Sequence, residues 1–170
     1  MFLGLASQPL IPLVGRGEQR MQPIHIDDLV AMAVRLVEHK LAIRQTIVAV
    51  GAEAVTLRSM LEVYRGSLGL GKACMLPVPL VLMRLAARVG DVLKSGALSS
   101  ETLRMLQSGN TGPVAETQKI LGYPPRALNE FIQPDEAEAL RMRAVWSWLR
   151  PVLLAGIAVI CVLLGLLAAA

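Results

Sequence analysis

At 170 residues, the chain has room for one domain and a short appendage but not for two full domains. Its 17 basic and 13 acidic residues leave a formal charge of +4, spread along the chain, and with two Phe, two Tyr and two Trp no aromatic stripe runs between basic residues, which excludes a nucleic-acid interface of the usual kind. Cys74 and Cys161 and the isolated His25 and His39 have no metal-ligand spacing, so both cysteines read as reduced and structural.

The apolar opening from Met1 to Ala6 lacks a basic start and is followed by Pro9 and Pro12, so it reads as neither a signal peptide nor a spanning helix. Leu10 to Val14 reads as a strand ending at Gly15, and Gly15 to Glu18 as a turn. Met21 to Ile26 reads as a second strand, with Asp27 as N-cap of a helix over about Asp28 to Glu38 whose Leu29, Met32, Ala33, Leu36 and Val37 face inward. Thr46 to Val50 is a β-branched stretch expected to form a strand closed by Gly51. Thr56 opens a helix with Leu57, Met60, Leu61, Tyr64 and Leu68 on its core face, ended by Gly66, Gly69 and Gly71.

Cys74 to Leu76 is a short predicted strand. Pro79 starts a helix to about Asp91, with Leu82, Leu85, Ala86 and Val89 inward. Ser99 caps a helix to about Gln107. A turn at Asn110 to Gly112 precedes a helix over Val114 to Leu121. Tyr123 to Pro125 is a linker, Ala127 to Phe131 a helical turn, and Pro134 starts a polar helix. Alternating strands and helices argue an α/β fold with a mostly helical second half.

Pro151 to Ala170 carries no charge and eleven Leu, Ile or Val residues. Twenty helical residues reach about 30 Å, the thickness of a hydrocarbon core. The stretch therefore predicts a C-terminal transmembrane helix in the lipid bilayer. Trp146, Trp148 and Arg150 would lie at the membrane interface, and the arginines before the run would hold residues 1–150 in the cytoplasm, as in a bacterial-type inner or plasma membrane protein. The domain expectation is residues 1–132 as the body, 133–150 as a polar connecting helix and 151–170 as a single-pass anchor.

Two glycine patterns fail as phosphate sites. Gly66 to Lys72 has the spacing of a phosphate-binding loop, but Ala73 replaces the hydroxyl residue that holds magnesium, and a helix precedes the loop instead of a strand. Gly15-Arg16-Gly17 is followed by Arg20, and Gly69-Leu70-Gly71 by Cys74, where a dinucleotide fingerprint needs a third glycine.

Gly15 to Leu29, with its Gly-rich turn, basic residue and Pro23-Ile24-His25-Ile26-Asp27-Asp28-Leu29 junction, resembles the corresponding segment of extended and atypical short-chain dehydrogenases/reductases. The segments Thr46 to Gly51, Val55 to Leu57 and Leu76 to Phe131 are similar to the region that follows in the NAD-dependent epimerase/dehydratase-like branch. That branch includes relatives of the complex I accessory subunit and proteins fused to a DoxX-like membrane region. The resemblance implies the C-terminal portion of a Rossmann-like domain with a helical substrate-side lobe. It further implies a membrane-anchored oxidoreductase or epimerase using NAD or NADP, whose cofactor half lies in a missing N-terminal part. Arg20 would reach a substrate phosphate by bidentate hydrogen bonds, and His25 is the second tentative substrate-binding residue. The family's Tyr-x-x-x-Lys pair is absent, since Leu68 follows Tyr64 and Ala127 follows Tyr123 at that spacing. The chain alone is thus expected to be inactive and to bind NAD(P) poorly if at all. A non-catalytic membrane-tethered binding or assembly module is the alternative reading.

Overall fold

The computed structural model describes residues 2–39, 46–92 and 99–168. In chain order these form α1 (Phe2–Ala6), β1 (Leu10–Val14), β2 (Arg20–Met21), α2 (Ile26–Glu38), β3 (Val55–Thr56), α3 (Leu57–Ser67), β4 (Cys74–Val78), α4 (Leu80–Val92), α5 (Ser100–Ser108), α6 (Val114–Leu121), a 3-10 turn (Leu128–Glu130) and α7 (Ala137–Ala168).

The expected Rossmann-like half-domain is not what forms. The described residues are mainly helical, with one parallel pair, β1–β4, and one short antiparallel pair, β2–β3. Two prolines account for the parallel sheet stopping at two strands. Gly15 N–H donates to Val78 O at 2.9 Å and Cys74 N–H to Pro9 O at 3.0 Å. Because N–H groups alternate between the two edges of a strand, residue 12 of β1 and residue 77 of β4 face the outer edges. Both are proline. Neither outer edge has a central donor, so each is blunted against a further strand.

The two other expected strands also shrink. Pro23 interrupts the first, β2 ends at Met21, and Ile26 already belongs to α2. His25, not Asp27, is the N-cap of that helix. Residues 46–50 form no strand. Their backbone is served by side chains instead: Val50 N–H donates to Thr117 Oγ1 at 3.1 Å, and Thr117 Oγ1 donates to Val48 O at 3.4 Å. Gln22 bridges the same region, donating through Nε2 to Gly51 O at 2.8 Å and accepting Gly112 N–H at 3.0 Å. The approach is so close that a Cβ on Gly51 would overlap the Pro23 carbonyl oxygen.

The core lies where one face of β1 meets α3. Ile11 and Leu13 pack with Leu57, Met60, Leu61, Ala6 and Leu128. Thr56 caps α3 by accepting Ser59 N–H at 3.1 Å, and the predicted core face is buried, with Tyr64 packed at its margin. Ser99 likewise caps α5, accepting Thr102 N–H at 3.1 Å. Val14, Ala87 and Leu103 form a second cluster that seats α4 and α5 on the other face of β1. The faces expected for α2 and α4 are only partly right. Met32 is buried, yet Leu29 and Val37 are exposed; Ala87 points inward, whereas Leu82 and Leu85 are exposed. The side chain of Val89 lies outside the described residues.

Arg65 ties the N-terminal segment to this core. It is 8% exposed. Its Nη1 donates to the carbonyls of Ala6 and Gln8, and its Nε and Nη2 donate to Gly71 O at 2.8 and 2.6 Å. The glycine-rich loop after α3 therefore supplies a carbonyl to a buried guanidinium.

The predicted membrane anchor is overturned. Among the described residues, no helix is long and apolar enough to cross a membrane. Residues 137–168 form one continuous helix with Pro151 inside it, so Glu138, Arg141, Arg143 and Arg150 share the helix with the apolar run. Pro151 also removes an intrahelical donor there. The side chains of that run are described as far as Ile157. Cys161, like residues 169–170, lies outside them. The single-pass topology falls with the anchor, and so does the assignment of residues 1–150 to the cytoplasmic side of an inner or plasma membrane. The start of α7 instead packs on α1. Ser147 Oγ would lie 2.8 Å from a Cβ on Gly4, so the glycine permits the approach.

Candidate ligand-binding site

A hollow of about 330 Å³ lies over the Pro12 and Val14 face of β1, with Leu57 at the start of α3 also in its lining. β1 contributes Pro12 and Val14 to its floor, and α1 contributes Phe2 and Leu5 to one wall. Met83 of α4 and Leu103 and Leu106 of α5 form the opposite wall, and Trp148 of α7 completes the apolar lining. Among the described residues, none that line it is charged. A volume in this range and a lining of this kind suit a small, mostly apolar molecule. The pyrophosphate of a dinucleotide would find no countercharge there, and an unpaired charge in such surroundings is costly.

A few polar groups punctuate the wall. Trp148 Nε1 donates to Ser7 Oγ at 3.0 Å, which fixes the indole. Ser147 Oγ donates to Ala144 O at 2.7 Å and keeps lone pairs to accept with. Ser99 Oγ is committed to the α5 cap. The carboxamide of Gln8 makes no hydrogen bond among the described residues and offers both a donor and an acceptor.

The expected substrate residues lie elsewhere and do not share partners. Arg20 is exposed, and its Nη2 donates to Ala54 O at 3.4 Å. His25 sits at the start of α2 with its ring edge-on to Phe131, centroids 5.1 Å apart. His25 Nδ1 lies 2.8 Å from Arg126 Nη1 and accepts Asp27 N–H at 3.3 Å. Arg126 Nη1 also donates to Asp27 Oδ2 at 2.7 Å, and this bond holds the Asp27 carboxyl below its usual range. The side chain of Asp28 is fully buried; it accepts Arg126 N–H at 2.8 Å and lies 3.5 Å from Tyr123 Oη. This polar cluster fastens the 123–131 segment to the start of α2.

The membrane-interface residues are also dispersed. Trp148 points into the hollow, while Trp146 and Arg150 are exposed. The participation of Gln8 and Trp148 in one site was not readable from the chain, because they are 140 positions apart and no motif joins them. No family model matches the sequence, and no curated protein matches it.

Proposed function

We propose that the chain is a binding module for a small neutral molecule with an apolar body and one hydrogen-bonding group. The observation that carries this reading is the uncharged hollow roofed by α1, α5 and α7, with the unpartnered Gln8 carboxamide in its wall. The apolar body packs against Leu103, Leu106 and Trp148, and the polar end meets Gln8 and Ser147. This is the non-catalytic alternative stripped of its membrane tether. The missing Tyr-x-x-x-Lys pair supports it.

Trp148 is a built-in reporter. In a Trp146→Phe background, titration with 1-octanol produces a saturable change in Trp148 emission, and Leu106→Trp, which fills the hollow, removes saturable octanol binding measured by calorimetry. A non-saturable response, or undiminished octanol binding by Leu106→Trp, refutes the site.

A second reading keeps the resemblance to reductases and epimerases: the hollow holds the substrate of an oxidoreductase or epimerase whose NAD(P) is supplied by another polypeptide. The apolar hollow supports it, since its lining suits a small substrate and offers a dinucleotide no countercharge. Tight binding of NADPH by the chain alone contradicts both readings, because the first has no cofactor site and the second assigns it to another polypeptide.

A further inference from the structure

α4 and α5 pack together through Ala87 and Leu103, and on the outer side of this contact they bring three arginines around one open hollow of about 290 Å³. Arg84 and Arg88 come from α4 and Arg104 from α5. All three are exposed. Among the described residues, none of the three guanidiniums has a carboxylate within ion-pair distance or any hydrogen-bond acceptor. Asp91 is the nearby acid. It accepts Ser100 N–H at 3.0 Å and is held below the usual carboxylate range first by the Ser100 side chain, with Arg104 a smaller influence. Gln107, whose carboxamide makes no hydrogen bond among the described residues, adds to the lining.

The three positive charges repel one another weakly in solvent, and Asp91 offsets that only at Arg104. Arg84 and Arg88 are four residues apart on one helix face, where like charges repel, and Arg104 brings a third positive charge toward them. An anion with several oxygens relieves that repulsion, and guanidinium forks match phosphate oxygens in pairs. We propose that Arg84, Arg88 and Arg104 form a binding site for a phosphate group, with Gln107 donating a further hydrogen bond. The site is separate from the uncharged hollow and stands whether or not that hollow binds its ligand. The phosphate comes either from a soluble phosphate ester or from an anionic lipid headgroup. Val81, Leu82 and Leu85, exposed on the same helix, would rest against the acyl region in the second case.

Calorimetry of the full chain with inorganic pyrophosphate at low ionic strength tests the site. Saturable binding is expected, weakened at least tenfold in Arg84→Gln/Arg88→Gln and in Arg104→Gln, while Arg143→Gln, an exposed arginine outside the hollow, behaves as the parent. Arg→Lys at the three positions keeps the charge and loses the forks, and weakens binding severalfold. Unchanged melting midpoints establish that the variants are folded. Co-sedimentation with phosphatidylglycerol vesicles, competed by pyrophosphate and lost in the double variant, assigns the phosphate to a lipid; pyrophosphate binding without vesicle binding assigns it to a soluble ester. The proposal is overturned if pyrophosphate does not bind saturably, or if Arg143→Gln weakens binding as much as the hollow variants.

Discussion

Arg65→Met removes a guanidinium that links three carbonyls, two at the end of α1 and one after α3, and keeps a side chain of similar length. The parent makes four donor contacts, to Ala6, Gln8 and twice to Gly71. Hydrogen bonds from a charged donor contribute about 1.5–3 kcal/mol each in net terms. Desolvating the guanidinium costs several kcal/mol in the parent, and burial accordingly pulls the Arg65 pKa below the usual arginine value. Removing the arginine recovers that cost, while the carbonyls left behind regain water only in part. The expected net loss is ~2–4 kcal/mol, a large share of the ~5–15 kcal/mol that holds a typical domain. Urea unfolding followed by far-UV circular dichroism measures it, with the slope unchanged if only stability is affected. Arg65→Lys, a single point donor unable to reach all three carbonyls, falls between parent and Met. Because Arg65 holds the end of α1, whose Phe2 and Leu5 wall the hollow, octanol affinity falls with it. A loss under about 1 kcal/mol in Arg65→Met, or equal losses in Lys and Met, refutes the stapling role.

Gly51→Ala drives a Cβ into the Pro23 carbonyl, a backbone atom that cannot swing aside, and should cost at least ~1–3 kcal/mol in the same urea assay; a neutral outcome would mean the 23–51 approach is looser than the structure has it. Asp28→Ala strips the acceptor from Arg126 N–H and should cost ~1–3 kcal/mol, whereas Asp28→Asn, which keeps a side-chain oxygen, should recover part of it. The Asp27 carboxyl should titrate by NMR below 3.8, its ordinary value, and move up toward it in Arg126→Gln. The sign follows from the depressed folded-state pKa: the stability from this pair is fully present above 3.8 and is lost as pH falls through the folded value, so acidification past that point removes it from the parent and leaves Arg126→Gln unaffected.

Local chemistry made several elements legible from the chain alone. Thr56 and Ser99 each have a side-chain oxygen positioned to accept an N–H in the first turn of the following helix, and α3 and α5 form where that capping puts them; α6 forms after the expected turn with no side-chain cap. Those interactions span three or four residues, so sequence neighbours decide them. Strands need a second edge, and that is where the reading failed. Thr46 to Val50 has strand-forming residues, yet the partner of Val48 and Val50 is the Thr117 side chain, and β-propensity records only a fit to a sheet that must be supplied. Pro12 and Pro77 were visible from the start, but their consequence depended on which edge each faced, and the β1–β4 pairing settles that. The charge-free stretch after Pro151 met the length criterion for a span, but hydropathy alone does not register that the helix begins in a charged segment packed against α1. The two hollows were least legible of all. The uncharged one collects side chains from α1, β1, α3, α4, α5 and α7, and the arginine one joins α4 to α5. Each residue's type could be read in the chain, but its neighbours across the hollow are set by packing between distant segments, and only the tertiary structure decides those contacts.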